Sequence, residues 1–222
     1  MLRLHGFPVS NYYNMVHLAL LEKGLAFDTA HVYGSQDEAF LAISPRGKVP
    51  VLQTEHGYIS ETGAILDYLE DLGEGRPLLP AEPFARAQVR ALMREIELYI
   101  ELPARSCYAE AFFRTPVDAA IKDKARTELQ AGIATLKRHG RFAPYVAGEQ
   151  FGLADLYFLY SIDLAAAVAQ RVLGFDLLEN FPAAQALLER TATPSDAEIR
   201  DALHPNLCRC GTHMRIFKAV RR

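Results

Sequence analysis

The hydrophobic pattern of this chain changes once, and that change limits the folds that the chain can adopt. Up to residue 72, short apolar runs typical of strands alternate with segments of helical spacing, in the order β-α-β-α-β-β-α. After residue 87 the spacing is helical, including one run from Val89 to Ile100, and residues 153–168 are apolar enough to predict a buried central helix. Glycines and prolines interrupt the chain between these halves, which favours a linker at 77–86.

We therefore predict an α/β domain at 1–76 and an all-α domain at 87–194, with an atypical basic tail at 195–222. The first helix is expected to end at Gly24, because glycine is the preferred residue after a helix C-terminus. The elements predicted for the α/β domain are strands at 2–5, 26–33, 49–52 and 58–60, and helices at 11–23, at 37–43 and around 65–72.

Charge is distributed unevenly along the 222 residues. The tail holds six Lys or Arg against three acidic residues, so it carries +3 and residues 1–194 carry −6, for a formal total of −3. An acidic body argues against a nucleic-acid partner, because basic surfaces bind phosphate backbones. Three cysteines are too few for a disulfide framework.

The sequence also bears on location. It has no uninterrupted apolar stretch of about eighteen residues, so we expect no membrane span. The N-terminal run MLRLHGFPVS lacks an apolar segment and a small-residue cleavage site, which favours a cytoplasmic protein.

Ser10 is the first candidate for chemistry, because it lies between the first predicted strand and the first predicted helix. A helix N-terminus presents unpaired N–H groups and a partial positive charge, so it stabilises an anion such as a thiolate. From position alone, capping of the helix by Ser10 or Asn11 is the more common role of such residues. Both interpretations stay open at this point.

Two further segments are candidates for ligand contacts. Val49-Pro50 opens an apolar strand, and a cis bond there would leave the backbone of Val49 able to pair with an extended peptide, although a trans proline is the more common case. In the segment SETGAI, Glu61 could meet an ammonium group and Thr62 a carboxylate at the start of the third helix. A plain N-terminal cap explains that segment equally well.

Together these segments resemble those of cytosolic glutathione transferases of the serine type. The resemblance is carried by LHGFPVSNYYNMVHLALLEKGL at 4–25, SPRGKVPVL at 44–52, SETGAILDYL at 60–69 and GEQFGLADLY at 148–157. It covers residues 1–192 and implies a thioredoxin-like N-terminal domain followed by a helical-bundle domain. The implied activity is conjugation of the glutathione thiolate to a small hydrophobic electrophile, with a non-catalytic binding or scaffold protein as the alternative.

The resemblance also implies roles for particular residues. Ser10 matches the catalytic hydroxyl that hydrogen-bonds the glutathione sulfur, and Asn11 or Tyr12 are alternative donors because Asn11 stands where many relatives have proline. No cysteine lies between residues 7 and 15, which argues against glutathione disulfide exchange. The implied glutathione-binding residues are Lys48, Val49, Pro50, Glu61 and Thr62.

The electrophile is expected between the two domains, and the family is usually homodimeric. Apolar side chains with polar tips suit such a pocket, although ordinary helix packing explains each candidate as well. The candidates are Tyr99, Pro103, Cys107, Tyr108, Phe112 and Phe113. The run GEQFGLAD further resembles the family's buried N-capping box, with Gly152 at the cap, so we predict a structural role for Asp155.

The tail resembles a different family. EIRDALHPNLCRCGTHMRI is similar to the C-terminal part of the [2Fe–2S] domain in the small subunits of molybdenum hydroxylases, where Cys208 and Cys210 would be two of four ligands. The second cysteine pair of that domain is absent here, and Cys107 lies far away in the sequence. We therefore expect no iron–sulfur cluster, no other cofactor and no metal site.

Overall fold

A computed structural model of the protein describes residues 1–191. Residues Met1–Leu177 form one compact unit, and Leu178–Arg222 form a second unit, of which the part up to residue 191 is described. The basic tail predicted at 195–222, with Cys208 and Cys210, lies outside the described residues.

The first half of the larger unit is built on a mixed four-stranded sheet, which confirms the predicted thioredoxin-like α/β fold. Its elements are β1 (Leu2–Gly6), α1 (Asn11–Lys23), β2 (Phe27–His31), α2 (Glu38–Leu41), β3 (Val51–Thr54), β4 (Gly57–Ser60) and α3 (Thr62–Asp71). The strand order is β2-β1-β3-β4, with β2 parallel to β1 and β3 antiparallel to both of its neighbours. A helix-containing crossover joins the parallel pair and a short turn joins β3 to β4, as their spacing requires.

Helix α1 follows directly from its local sequence. Four apolar side chains that share one face of the helix are fully buried: Met15, Val16, Ala19 and Leu20. The helix ends as predicted at Gly24, which adopts φ 68° and donates its N–H to the carbonyl of Leu21 at 2.9 Å. The same helix begins at Asn11, so Ser10, the last residue of the β1–α1 turn, lies at the N-terminus of the helix.

The segment predicted as a linker is anchored to this half by a buried ion pair. Lys23 Nζ lies 2.8 Å from Glu70 Oε1, and both side chains are only 2% exposed. The Glu70 carboxylate also accepts hydrogen bonds from the backbone N–H groups of Leu78 and Leu79, each at 3.1 Å. One buried carboxylate therefore joins α1, α3 and the chain that follows α3.

The second half of the larger unit is helical, which confirms the predicted helical bundle. Its elements are α4 (Pro83–Ile96), a π-helical segment (Glu97–Glu101), α5 (Leu102–Arg105), α6 (Tyr108–Phe113), α7 (Ala119–His139), α8 (Leu153–Val168) and a second π-helical segment (Ala169–Leu173). The apolar spacing predicts an ordinary helix from Val89 to Ile100, whereas the structure changes to π geometry at Glu97. Such local widenings of a helix are frequent at functional sites.

Helix α8 is the predicted central helix and has the predicted bounds. Among residues 1–191, the stretch Leu153–Leu173 is long and apolar enough to span a membrane by length and composition, with a mean hydropathy of 1.3. Core helices of soluble proteins meet the same criterion, and half of this stretch is buried inside the protein. Tyr157, Phe158 and Ile162 have no exposed surface, so α8 is part of the protein core.

Asp155 holds the start of α8, which confirms its predicted structural role. Its carboxylate accepts hydrogen bonds from the N–H of Gly152 and the N–H of Val146, both at 2.9 Å. The carbonyl of Leu78 explains why glycine occupies the cap position. A Cβ on Gly152 would lie 2.6 Å from that oxygen, and the N–H of Leu153 donates to the same oxygen at 3.0 Å.

Gly152→Ser is therefore expected to lower the free energy of unfolding by about 1–3 kcal/mol, although serine caps isolated helices better than glycine. The added Cβ must displace a backbone carbonyl that is already hydrogen-bonded, and this cost exceeds the gain from the cap. Urea denaturation would measure the change. Asp118→Ser at the exposed start of α7 is the control, and should change stability by less than about 0.5 kcal/mol. A Gly152→Ser protein more stable than the parent would contradict this explanation.

The described part of the second unit contains helix α9 (Pro182–Thr191). The carbonyl of Phe181 accepts hydrogen bonds from the N–H groups of Ala184 and Gln185 at 3.1 and 3.2 Å. Proline suits the first position of this helix because the N–H that it lacks would have no partner within the helix.

Candidate active site

A cleft of about 740 Å³ opens in the larger unit between the carboxyl-terminal side of β1, the turn before β3, the start of α3 and the segment from α4 to α5. Six of the predicted site residues lie on its lining together with Tyr12: Ser10, Lys48, Val49, Pro50, Glu61 and Thr62. Residues that are up to about fifty positions apart in the sequence are thus brought to one surface.

Ser10 combines the two roles that its position left open. It is the N-cap of α1, and its Oγ accepts a hydrogen bond from the N–H of Tyr13 at 3.3 Å. A hydroxyl can accept and donate at the same time. Since Ser10 also lines the cleft, its hydrogen is available to an acceptor there, beside the positive end of α1.

The two alternative donors are engaged elsewhere. Asn11 is 6% exposed and is absent from the cleft lining; its side chain donates to the carbonyl of Tyr160 at 3.4 Å and accepts from Arg105 at 2.9 Å. The Tyr12 hydroxyl donates to Glu97 Oε1 at 3.3 Å. Burial raises the pKa of Tyr12 above its ordinary value, and the nearby carboxylates of Glu101 and Glu97 raise it further.

The turn before β3 presents an unpaired backbone to the cleft. The Val49–Pro50 peptide bond is cis, as the resemblance implies. Within residues 1–191 the N–H and C=O of Val49 make no hydrogen bond. The buried hydroxyl of Ser44 closes this turn with two hydrogen bonds. It donates to the carbonyl of Lys48 at 2.7 Å and accepts from the N–H of Lys48 at 3.0 Å.

Ser44 is a site residue that sequence reasoning missed. It is 2% exposed and also borders the cleft. A usable signal was present, because a serine four residues before Lys48 in SPRGK can close such a turn through its hydroxyl.

The start of α3 forms the opposite end of the cleft. Glu61 is exposed and adopts φ 70°, a left-handed conformation that is unfavourable for a residue with a side chain and is typical of functional sites. Thr62, which follows it, is 5% exposed and begins the helix. Next to it, a Cβ on Gly63 would collide with the guanidinium of Arg94, so α4 packs closely on this end of the site.

Charged residues that were not predicted make up the helical wall of the cleft. Arg94 pairs with Glu97 at 2.5 Å between Nη1 and Oε2. Arg105 pairs with Glu101, a residue with no exposed surface, at 2.6 Å between Nη2 and Oε1. The spacings of these two pairs, three and four residues, are those of ion pairs on a helix and were the signal available in the sequence.

The structure does not bring the predicted electrophile-pocket residues to this cleft. Cys107 has no exposed surface, and the Tyr108 hydroxyl donates to the buried Glu101 at 3.1 Å. The other candidates that are absent from the cleft lining are Tyr99, Pro103, Phe112 and Phe113. A π-helical turn holds more residues than an α-helical turn, so the segment Glu97–Glu101 rotates the residues that follow it. The helical wall is formed by Arg94, Glu97, Leu102 and Arg105, without an aromatic ring.

The described residues do not provide the ligands of an iron–sulfur cluster. Among residues 1–191 no group of three or more His, Cys, Asp or Glu side chains could hold a metal ion. Cys107 is the single cysteine in this part of the chain and is buried, whereas a [2Fe–2S] cluster takes four thiolates. The donor set of the described residues thus does not fit this cofactor.

Comparison with known proteins identifies the family. Residues 4–77 match the family model of the glutathione S-transferase N-terminal domain, and residues 100–193 match that of the C-terminal domain. A glutathione S-transferase of Pseudomonas putida F1 is 65% identical over 189 residues, which is 85% of this chain and 86% of that protein. The chain belongs to the glutathione S-transferase family. It is an enzyme of the transferase class that uses glutathione as co-substrate.

A solved glutathione S-transferase agrees with the fold described above. The crystal structure of the enzyme from Pseudomonas fluorescens Pf-5 superposes with a TM-score of 0.72 at 27% identity, and the match covers 87% of this chain and 96% of that one. The predicted fold class of this glutathione S-transferase is thereby confirmed.

The comparisons also confirm the resemblance of the tail. Residues 181–221 match the family model of the [2Fe-2S] binding domain. One component of the nicotinate dehydrogenase of Pseudomonas putida KT2440 is 62% identical over 39 residues, which is 18% of this chain and 25% of that protein. The family-model match begins before residue 195 and overlaps the end of the glutathione S-transferase match at residues 181–193.

Proposed function

We propose that this glutathione S-transferase conjugates the thiolate of glutathione to a small electrophile with a hydrophobic body, and that Ser10 is the catalytic residue. The observation that carries the proposal is the position of the Ser10 hydroxyl, which caps α1 and borders the cleft at the same time. A thiol with a pKa of about 8.5 becomes largely ionised at pH 7 when its pKa falls by about two units, which corresponds to about 2.7 kcal/mol. One donated hydrogen bond together with the partial charge of the helix N-terminus is of that size.

Ser10 is a better donor than either alternative. The Asn11 amide is buried and bound to Tyr160 and Arg105, so it would have to give up both partners. The Tyr12 hydroxyl already donates to Glu97. Ser10 has to give up no partner. Its existing hydrogen bond uses an acceptor position of the hydroxyl oxygen and leaves the hydroxyl proton free to donate.

Glutathione would lie along the sheet side of the cleft in an extended conformation. Its cysteinyl backbone would pair with the N–H and C=O of Val49, which lack partners within residues 1–191. Its γ-glutamyl end would meet Glu61 and Thr62, with the carboxylate on the N–H groups at the start of α3. Lys48 would face the glycyl carboxylate, and Pro50 would keep the turn in the shape that exposes Val49.

In the reaction, the thiolate sulfur forms a bond to an electrophilic carbon, and the leaving group departs with the electron pair of the bond that breaks. The thiol proton passes to solvent. Ser10 contributes by stabilising the sulfur anion before the attack, and the cleft contributes by holding both reactants together.

Conjugation of glutathione to a chlorodinitrobenzene tests the proposal against the alternative of a binding or scaffold protein. We expect retention on glutathione-agarose together with turnover above the uncatalysed rate. Retention without turnover would support the non-catalytic alternative.

We further propose that the protein is a cytoplasmic homodimer, acts in detoxification and binds no iron–sulfur cluster. The cluster proposal is supported by the donor set described above and by the sequence of the tail, which has only Cys208 and Cys210. Iron analysis and a visible absorption spectrum of the purified protein would test it, and sedimentation would give the oligomeric state.

A further inference from the structure

We propose that the electrophile carries a carboxylate and that Arg105 binds it. This inference rests on the conjugating function proposed above and narrows the class of its second substrate. It follows from the chemical character of the part of the cleft that glutathione would leave open.

The part of the cleft that glutathione would leave open combines apolar groups with one cation. Once the turn before β3 and the start of α3 are occupied by glutathione, the remaining lining residues include Phe7 and Tyr12 on either side of Ser10 in the sequence, and Leu102 and Arg105 from the helical half. Tyr12 follows Ser10 by two residues, and the Arg105 guanidinium lies 5.0 Å from the centre of the Tyr12 ring. A small apolar body therefore has contacts here, but it shares the space with a cation.

The Arg105 guanidinium is held in one orientation. Its Nε donates to Glu101 Oε1 at 2.9 Å, and its Nη2 donates to the same oxygen at 2.6 Å and to Asn11 Oδ1 at 2.9 Å. The ring of Tyr108 lies at 5.0 Å, as the ring of Tyr12 does. Because these contacts already restrict the side chain, a ligand that binds it loses little further rotamer freedom.

One nitrogen of this guanidinium remains for a ligand. Nη1 makes no hydrogen bond to residues 1–191, and the side chain is 39% exposed. An oriented, positively charged N–H donor can hold one oxygen of a carboxylate through a charge-assisted hydrogen bond. An uncharged apolar electrophile would instead cover these donors without giving them a partner, which is unfavourable.

Neighbouring groups favour an anion as well. The side chains of Arg46, Lys48 and Arg94 line the same cleft, against Glu61 and Glu97, so cations exceed anions on its surface. Glu101, which pairs with Arg105, has no exposed surface and is absent from the lining, so its carboxylate does not face a ligand in the cleft. Burial raises the pKa of Tyr12, and Glu101 and Glu97 raise it further, so the phenol stays neutral and does not repel a carboxylate.

A matched pair of electrophiles tests the inference: a chlorodinitrobenzoate with its carboxylate para to the chlorine, and the amide of the same acid. For each, kcat/KM is divided by the rate constant of the uncatalysed reaction with glutathione, so that intrinsic reactivity cancels. We expect the unmodified protein to accelerate the benzoate reaction about ten- to a hundredfold more than the amide reaction, as hydrogen bonds to a charged group allow.

The variant that removes the guanidinium is the double substitution Arg105→Gln with Glu101→Gln, because Arg105→Gln alone would leave a buried carboxylate unpaired. In this double variant the acceleration of the benzoate reaction should fall by about ten- to a hundredfold. The acceleration of the amide reaction should change by less than about threefold. Arg105→Lys keeps the charge without the planar guanidinium and should recover part of the loss. Arg90→Gln is the matched control, since Arg90 pairs with Asp67 outside the cleft, and should leave both reactions unchanged.

Two measurements keep the inference testable if the double variant does not fold. In the unmodified protein, KM for the benzoate should rise with salt while KM for the amide stays constant. By calorimetry, the benzoate conjugate of glutathione should bind more tightly than the amide conjugate. Equal acceleration of both electrophiles, equal losses in the variant, or a salt-independent KM would overturn the role of Arg105 and leave the proposed function intact. Conjugation of neither electrophile would overturn the proposed function itself, and this inference with it.

Discussion

Ser10→Ala is expected to lower the rate of glutathione conjugation at pH 7 by about ten- to a hundredfold and to change the affinity for glutathione by less than about threefold. The hydroxyl stabilises the thiolate and contributes little to the binding of the rest of the peptide. Without it the thiol pKa rises toward its ordinary value of about 8.5, so less of the bound glutathione is ionised at pH 7. Steady-state rates at varied glutathione, with the affinity measured by calorimetry, separate the two effects.

The pH dependence of the same variant gives a second readout. The donor stabilises the ionised thiol, so its removal shifts the rise of kcat/KM to higher pH, and the deficit shrinks as pH passes the thiol pKa. Tyr12 does not replace the lost donor, because its hydroxyl already donates to Glu97 Oε1, and burial and the carboxylates of Glu101 and Glu97 raise its pKa.

Two matched variants control this prediction. Ser10→Thr keeps both the hydroxyl and the helix cap, so it should retain most of the activity. Tyr12→Phe should leave the pH profile where it is. The lost cap in Ser10→Ala costs about 1 kcal/mol of stability, which urea denaturation measures separately. A Ser10→Ala protein with the parent's rate and pH profile would move the assignment to Asn11 or Tyr12.

Glu70→Ala is expected to lower the free energy of unfolding by about 3–5 kcal/mol. The substitution leaves the Lys23 ammonium, which is 2% exposed, without its carboxylate. It also removes the acceptor of two backbone N–H groups, those of Leu78 and Leu79, which are themselves buried. Urea denaturation of the two proteins would measure the difference.

Glu70→Gln and Glu22→Gln show which part of that loss is due to charge and burial. Glu70→Gln keeps an oxygen for the two N–H groups and should lie between the parent and Glu70→Ala. Glu22 pairs with Arg76 at 3.0 Å, but these side chains are 33% and 48% exposed, so Glu22→Gln should cost less than about 1 kcal/mol. If Glu70→Ala cost no more than Glu22→Gln, the buried pair would not be what anchors residues 78–79.

The elements of this fold could be predicted because each depends on a short stretch of sequence. The helical spacing before Gly24 and the apolar run Leu153–Val168 correspond to α1 and α8 with the predicted bounds. For the same reason Ser10, Val49 and Glu61 were recognisable, since each lies at the end of an element, where backbone groups are unpaired. The structure brings these three to one cleft.

The helical wall of the cleft could not be predicted in this way. The aromatic candidates were chosen from residue type, but the π-helical segment Glu97–Glu101 changes which residues of the helix reach the cleft. That change of register is not visible in an apolar spacing that fits an ordinary helix. The contact between Arg105 and Asn11 likewise joins residues 94 positions apart.

The sequence by itself therefore determined the order of the elements and the two-part organisation, because periodicity and turn chemistry act over a few residues. The family followed from the resemblance of four of its segments. Only the tertiary structure decided what faces Ser10 across the cleft, why Gly152 carries no side chain and which carboxylate holds residues 78–79. Each of these depends on a contact between distant segments, whose distance and burial arise only when the chain has packed.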